Sequence, residues 1–75
     1  MGTPLNLTIE LDREDDGRRI ASIPELPGVM AYGATEPEAV ARVKSIALVE
    51  IGDRLQHGDP LPGGPDLAGV TFHAA

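Results

Sequence analysis

The chain has no cysteine and no tryptophan, and its aromatics are one tyrosine and one phenylalanine. Without cysteine, disulfides and thiolate-bound metals are excluded. With so few aromatics, the core must be built from aliphatic side chains. Basic residues are scarce too: six Lys and Arg stand against twelve Asp and Glu, a net charge of −6. Nucleic-acid binding draws much of its affinity from cations that neutralise phosphates. Direct DNA or RNA binding is therefore not expected, and an acidic surface instead favours encounter with a basic partner. No apolar run approaches the ~20 residues that cross a bilayer. The N-terminus shows no basic segment leading into an apolar stretch, so no signal peptide is expected. The composition predicts a soluble, cytoplasmic protein without membrane contact. It also fits a reducing compartment.

What is present is enough for one domain spanning residues 1–75, with 1–4 and 74–75 expected to fray. A chain this short buries a modest core and usually draws stability from a disulfide, a metal or a second subunit. Self-association, as a homodimer or higher oligomer, is the expected source.

Leu5, Leu7, Ile9 and Leu11 alternate with Asn6, Thr8, Glu10 and Asp12. Period two with one apolar side predicts a half-buried strand. Arg13 to Gly17 is a polar turn ending in Asp16-Gly17, a hairpin signal. Arg18 to Ile23 is the return strand, stopped by Pro24 and Pro27, which cannot donate to a ladder. Gly28 permits a sharp change of backbone direction. Val29 to Tyr32 forms a third short strand, closed by Gly33.

Thr35 and Glu38 make a Thr-x-x-Glu capping box, in which each side chain is expected to satisfy the other's backbone N–H. Pro37 is harmless in the first turn. Ala39, Val40, Val43, Ile46, Ala47, Ile51 and Leu55 recur at three- and four-residue steps and predict one helical face against a core. Leu48 and Val49 lie off its centre, where they either widen the stripe or meet another subunit. Glu38–Arg42 and Glu50–Arg54 are favourable i,i+4 pairs. Gly58 is the predicted helix stop, supported by Pro60. Asp59 to Ala68 reads as a Pro/Gly loop, and Val70 and Phe72 as part of a last strand. The order is β-β-β-α-β, an α+β fold whose sheet carries one helix on one face. A right-handed crossover through the helix would make the last strand parallel to the third.

No motif carries chemistry. Asp12 to Gly17 resembles the start of a calcium loop, but the twelfth position needs a bidentate Glu and holds Ile23. Gly28 to Thr35 has P-loop glycine spacing without the lysine. Glu10, Asp12 and Glu50 are the carboxylates a two-metal nuclease would need to converge, and no spacing forces them together. His57 suits a structural role at the helix C-terminus. No motif links a serine to His57 or His73. The expectation is a non-enzyme with no metal and no cofactor. Glu14, Asp15, Asp16, Arg19 and Tyr32 are the candidate partner surface. Pro24, Leu26, Pro27, Gly28, Gly33, Thr35, Glu38 and Gly58 are structural.

The run Ala21-Ser22-Ile23-Pro24-Glu25-Leu26-Pro27-Gly28, then Gly33-Ala34-Thr35 and Glu38-Ala39, resembles the compact N-terminal domain of HicB-type antitoxins. Asp16-Gly17 and Gly58 also match, and the likeness extends from about Leu5 to Pro62. The resemblance implies a partial RNase H-like fold and a homo-oligomer. It further implies binding to a small, basic, mRNA-cleaving toxin of the HicA type within a type II toxin-antitoxin system. Many such antitoxins carry a DNA-binding segment after this domain. These 75 residues hold none, so autorepression is not expected. Arg19 stands where relatives often have an aromatic. The second expectation is an orphan homo-oligomeric domain without a toxin, and a metal-dependent nuclease is the remote third.

Overall fold

The computed structural model describes residues 2–64 and 66–75. It contains β1 (Thr3–Arg13), β2 (Arg19–Ser22), β3 (Met30–Gly33), α1 (Glu36–His57) and β4 (Leu67–Ala74). The strands form one mixed sheet in the order β3-β2-β1-β4. The expected α+β, β-β-β-α-β arrangement is what the chain forms.

Leu5, Leu7 and Ile9 of β1 are buried with Ala39, Val43, Ala47 and Ile51 of α1. Odd-numbered residues of β1 therefore face the helix, and Asn6, Thr8, Glu10 and Asp12 face away. Leu11 breaks the expected pattern, being 41% exposed. The reason is topological: β4 ends at Ala74, opposite Ile9, so no strand flanks Leu11 on that side.

The hairpin closes as expected around Gly17, at φ 90°, with its N–H bonded to the Glu14 carbonyl at 2.9 Å. Beyond β2 the chain makes two successive turns. Leu26 N–H donates to the Ile23 carbonyl, and Val29 N–H donates to the Leu26 carbonyl, both at 3.0 Å. In the second turn Pro27 is followed by Gly28 at φ 88°, the residue pattern of a type II turn. The three-residue repeat points Ile23, Leu26 and Val29 inward, where all are buried, and leaves Pro24 and Pro27 outside.

Thr35 caps α1: its hydroxyl accepts from the Glu38 N–H at 3.3 Å. The reciprocal half of the capping box is not what Glu38 does. Its carboxylate meets Arg42 at 2.7 Å instead, and Arg54 meets Glu50 at 2.9 Å. The helix ends at Gly58, left-handed at φ 71°, whose N–H bonds to the Arg54 carbonyl.

The buried row of α1 is narrower than the apolar pattern predicted. Only Ala39, Val43, Ala47 and Ile51 are fully buried, with Val40 packed against them. Ile46 and Leu55 are exposed, as are Leu48 and Val49. A helix resting on a sheet buries one ridge of i,i+4 side chains, and residues to either side of it stand at the flanks.

The last strand departs from expectation in two ways. Leu67 and Ala68, expected in the loop, already belong to β4. Its neighbour is β1, to which it runs parallel. It is also parallel to β3, as expected, but β2 and β1 lie between them. The described ends have ladder partners. Thr3 and Pro4 pair with Leu67 and Gly69, Ala74 pairs with Ile9, and the Ala75 N–H reaches the Ile9 carbonyl at 2.9 Å. Met1 lies outside the described residues.

Candidate functional site

The register divides the candidate partner residues. On the sheet face away from α1, Asp12 lies across from Ile20, and Ile20 from Tyr32. Glu10, Ser22 and Met30 make the next row. Met30 is 47% and Tyr32 39% exposed, with Ile20 half-buried beside them. The Arg18 guanidinium lies 4.7 Å from the centre of the Tyr32 ring, within cation–π range.

Arg18 also ties this patch to the hairpin tip. Its Nε is 2.7 Å from Asp16 Oδ2, and its backbone N–H donates to Asp16 Oδ1 at 3.0 Å. That backbone bond, with the Arg18 charge, holds the Asp16 carboxyl below its ordinary value. Asp16 and Tyr32 are thus joined through one side chain, and Glu14 and Asp15 sit on the same turn.

Arg19 does not join them. It lies across from Arg13 and Gly33, in phase with buried Ala21 and therefore on the helix face. Sequence reasoning missed Arg18, Ile20 and Met30. Ile20 and Met30 follow from the alternation of β2 and β3 once the hairpin register is fixed, whereas Arg18 required the tip geometry.

The other half of this face is polar. The Glu25 carboxylate accepts from Thr8 twice, from the N–H at 3.0 Å and from the hydroxyl at 2.7 Å. It thereby closes part of the β1 edge that β2 is too short to reach. Burial pushes this carboxyl up, and the two Thr8 donors lead the contributions that together outweigh it. Its own N–H and the charge of His73 add to them, and Glu25 is held below its ordinary 4.5. Thr71 donates to Asn6 and contacts His73 Nε2 at 3.1 Å. Glu25 went unrecognised because its partner is 17 residues away.

The structural motif residues do separate jobs. Gly33 has the tightest surroundings: a Cβ there would sit 2.5 Å from the Ala39 nitrogen and 3.0 Å from Ala39 Cα. Only a residue without a side chain lets the end of β3 lie against the first turn of α1. Gly28, by contrast, has open space and is required by its φ alone.

Among the described residues no three acidic or histidine side chains converge as a metal site, and no pocket is present. Glu10 and Asp12 are on the open face of the sheet, whereas Glu50 is on the helix side and engaged by Arg54. His57 Nδ1 lies 2.8 Å from the Asp53 carbonyl, the helix-end role its position suggested. No described helix is long and apolar enough to cross a membrane.

Fold and surface together define a small α+β domain with an acidic hairpin tip joined to an apolar patch. No family model matches the chain. It is similar to a UPF0150 protein of Thermoplasma acidophilum, with 26% identity over 70 residues that take in 93% of this chain and all of that protein. No solved structure matches.

Proposed function

We propose that this chain is a HicB-like, non-catalytic protein-binding domain that inhibits a small, basic, mRNA-cleaving toxin in the cytoplasm. The observation that carries the reading is the surface in which Glu14, Asp15 and Asp16 lead through Arg18 to Tyr32, Met30 and Ile20. Acidic groups steer a basic partner, and exposed aromatic and aliphatic side chains provide the desolvated contact that holds it. The β-β-β-α-β order and the Pro24–Gly28 corner, both features of the resemblance to HicB-type antitoxins, support it. Inhibition would be steric and electrostatic: the domain occupies the basic surface on which the toxin binds RNA.

The test is co-expression with the adjacent small open reading frame, followed by size exclusion with light scattering. A stable hetero-complex that silences RNA cleavage is the expected result. No complex overturns the reading in favour of an orphan homo-oligomeric domain. Charge reversal at Glu14, Asp15 and Asp16 should slow association more at low salt than at high salt. An unchanged rate at low salt removes the tip from the interface.

A further inference from the structure

We infer that Arg13 and Arg19 form a binding site for a phosphate monoester that carries an apolar group beside the phosphate. The inference is independent of any toxin.

Arg13 of β1 lies directly across from Arg19 of β2. The Glu14 N–H donates to the Arg18 carbonyl at 2.8 Å. Hydrogen-bonded and non-hydrogen-bonded pairs alternate along an antiparallel ladder, so Arg13 and Arg19 make a non-hydrogen-bonded pair. That kind brings side chains closest, with Cα atoms about 4.5 Å apart. Like charges placed directly opposite destabilise a ladder, and no carboxylate among the described residues offsets this pair. Arg18, Arg42 and Arg54 hold the carboxylates of Asp16, Glu38 and Glu50, and Lys44 rests over the Phe72 ring at 5.6 Å. Glu36 opens α1 three residues after Gly33 and pairs with neither Arg13 nor Arg19. A chain with twelve acidic residues thus sets two arginines face to face without an acid, an arrangement that an external anion would complete.

Charge and shape select the ligand. A carboxylate carries one charge and satisfies one guanidinium fork. A phosphate monoester carries nearly two charges and three strong acceptor oxygens, enough to engage both forks at once. On its other side Arg19 lies across from Gly33, so no β3 side chain stands in the row. Two residues before Arg13, on the same face of β1, is Leu11, 41% exposed. Leu11 lies across from the small, buried Ala21. An apolar group attached to the phosphate would cover Leu11 while the oxygens meet the arginines. The net charge of −6 repels anions at long range. Affinity therefore rests on these close contacts alone, and a millimolar dissociation constant is expected.

The experiment titrates the intact chain with phenyl phosphate and with inorganic phosphate, followed by proton–nitrogen NMR of the arginine Nε–H groups. Saturable shifts are expected at Arg13 and Arg19, with Arg42 and Arg54 unmoved. Phenyl phosphate should bind several-fold more tightly than inorganic phosphate, and Leu11→Ser should remove that difference. Arg13→Gln and Arg19→Gln should each weaken binding by about tenfold or more, the loss of a charge-assisted contact. Phenyl phosphate should raise the thermal midpoint of the wild type and not that of the double variant, a comparison in which general salt effects cancel. No saturation at tens of millimolar, or shifts spread evenly over all the arginines, overturns the inference. Equal affinity for the two phosphates overturns the choice of ligand. If a variant does not fold, the pattern of shifts in the wild type decides by itself.

Discussion

Replacing Gly33 with alanine should be among the most damaging single-methyl changes available in this domain. The added Cβ would lie 2.5 Å from the Ala39 nitrogen, about 1 Å inside the distance at which non-bonded heavy atoms reach their optimum. The obstructing atoms are backbone, so no rotamer change relieves the clash. Either β3 leaves the sheet or the first turn of α1 lifts, and the second route loosens Ala39 and Val43, both fully buried. Over-packing typically costs 1–3 kcal/mol when side chains can give way, and a rigid obstacle puts the expected loss near ~3 kcal/mol. The reduced freedom of the unfolded chain returns about 0.4–1 kcal/mol, leaving a net loss of about 2–3 kcal/mol. At ~0.05–0.15 kcal/mol per residue, that is a large part of the stability of so short a chain. In thermal terms it is on the order of 10–20 °C. Urea unfolding monitored by circular dichroism measures it directly, with an unchanged m-value showing that only stability moved. A midpoint shift worth less than ~0.5 kcal/mol would refute the claim that this close approach requires glycine.

Other outcomes follow from the same geometry. Gly28→Ala should cost only ~1 kcal/mol, because its strain is in φ and not in space, and Gly28→Asn should recover part of it; equal losses at Gly28 and Gly33 in urea unfolding would contradict the distinction. Thr35→Ala should lower stability by ~1 kcal/mol through loss of the helix cap, read from the same denaturation curves. Glu25 has a folded-state pKa below its unfolded value, so its stabilisation is complete above about 4.5 and is lost as pH falls through the folded value. Acid titration should therefore show stability declining below that pH, and Glu25→Gln should flatten the decline; an identical acid limb in the variant would remove the Thr8 clamp from the account.

Much of this fold can be read from short-range pattern. Alternation in Leu5 to Ile9, the Asp16-Gly17 turn, the Pro27-Gly28 turn, the Thr35 cap and the Gly58 stop each depend on neighbours a few residues away. Backbone sterics and local hydrogen bonds act over that range, so the residues themselves determined the element order β-β-β-α-β. They also determined the charge balance and the absence of thiol chemistry. Tertiary structure alone decided that β4 lies beside β1, because a crossover constrains direction more strongly than neighbour. It decided that Leu11, Ile46 and Leu55 stand exposed, because a buried face is as wide as what covers it. It brought Glu25 to Thr8 and Arg18 to Tyr32, and it placed Arg19 on the opposite face from Tyr32. These depend on contacts between residues distant in sequence, which no local periodicity encodes.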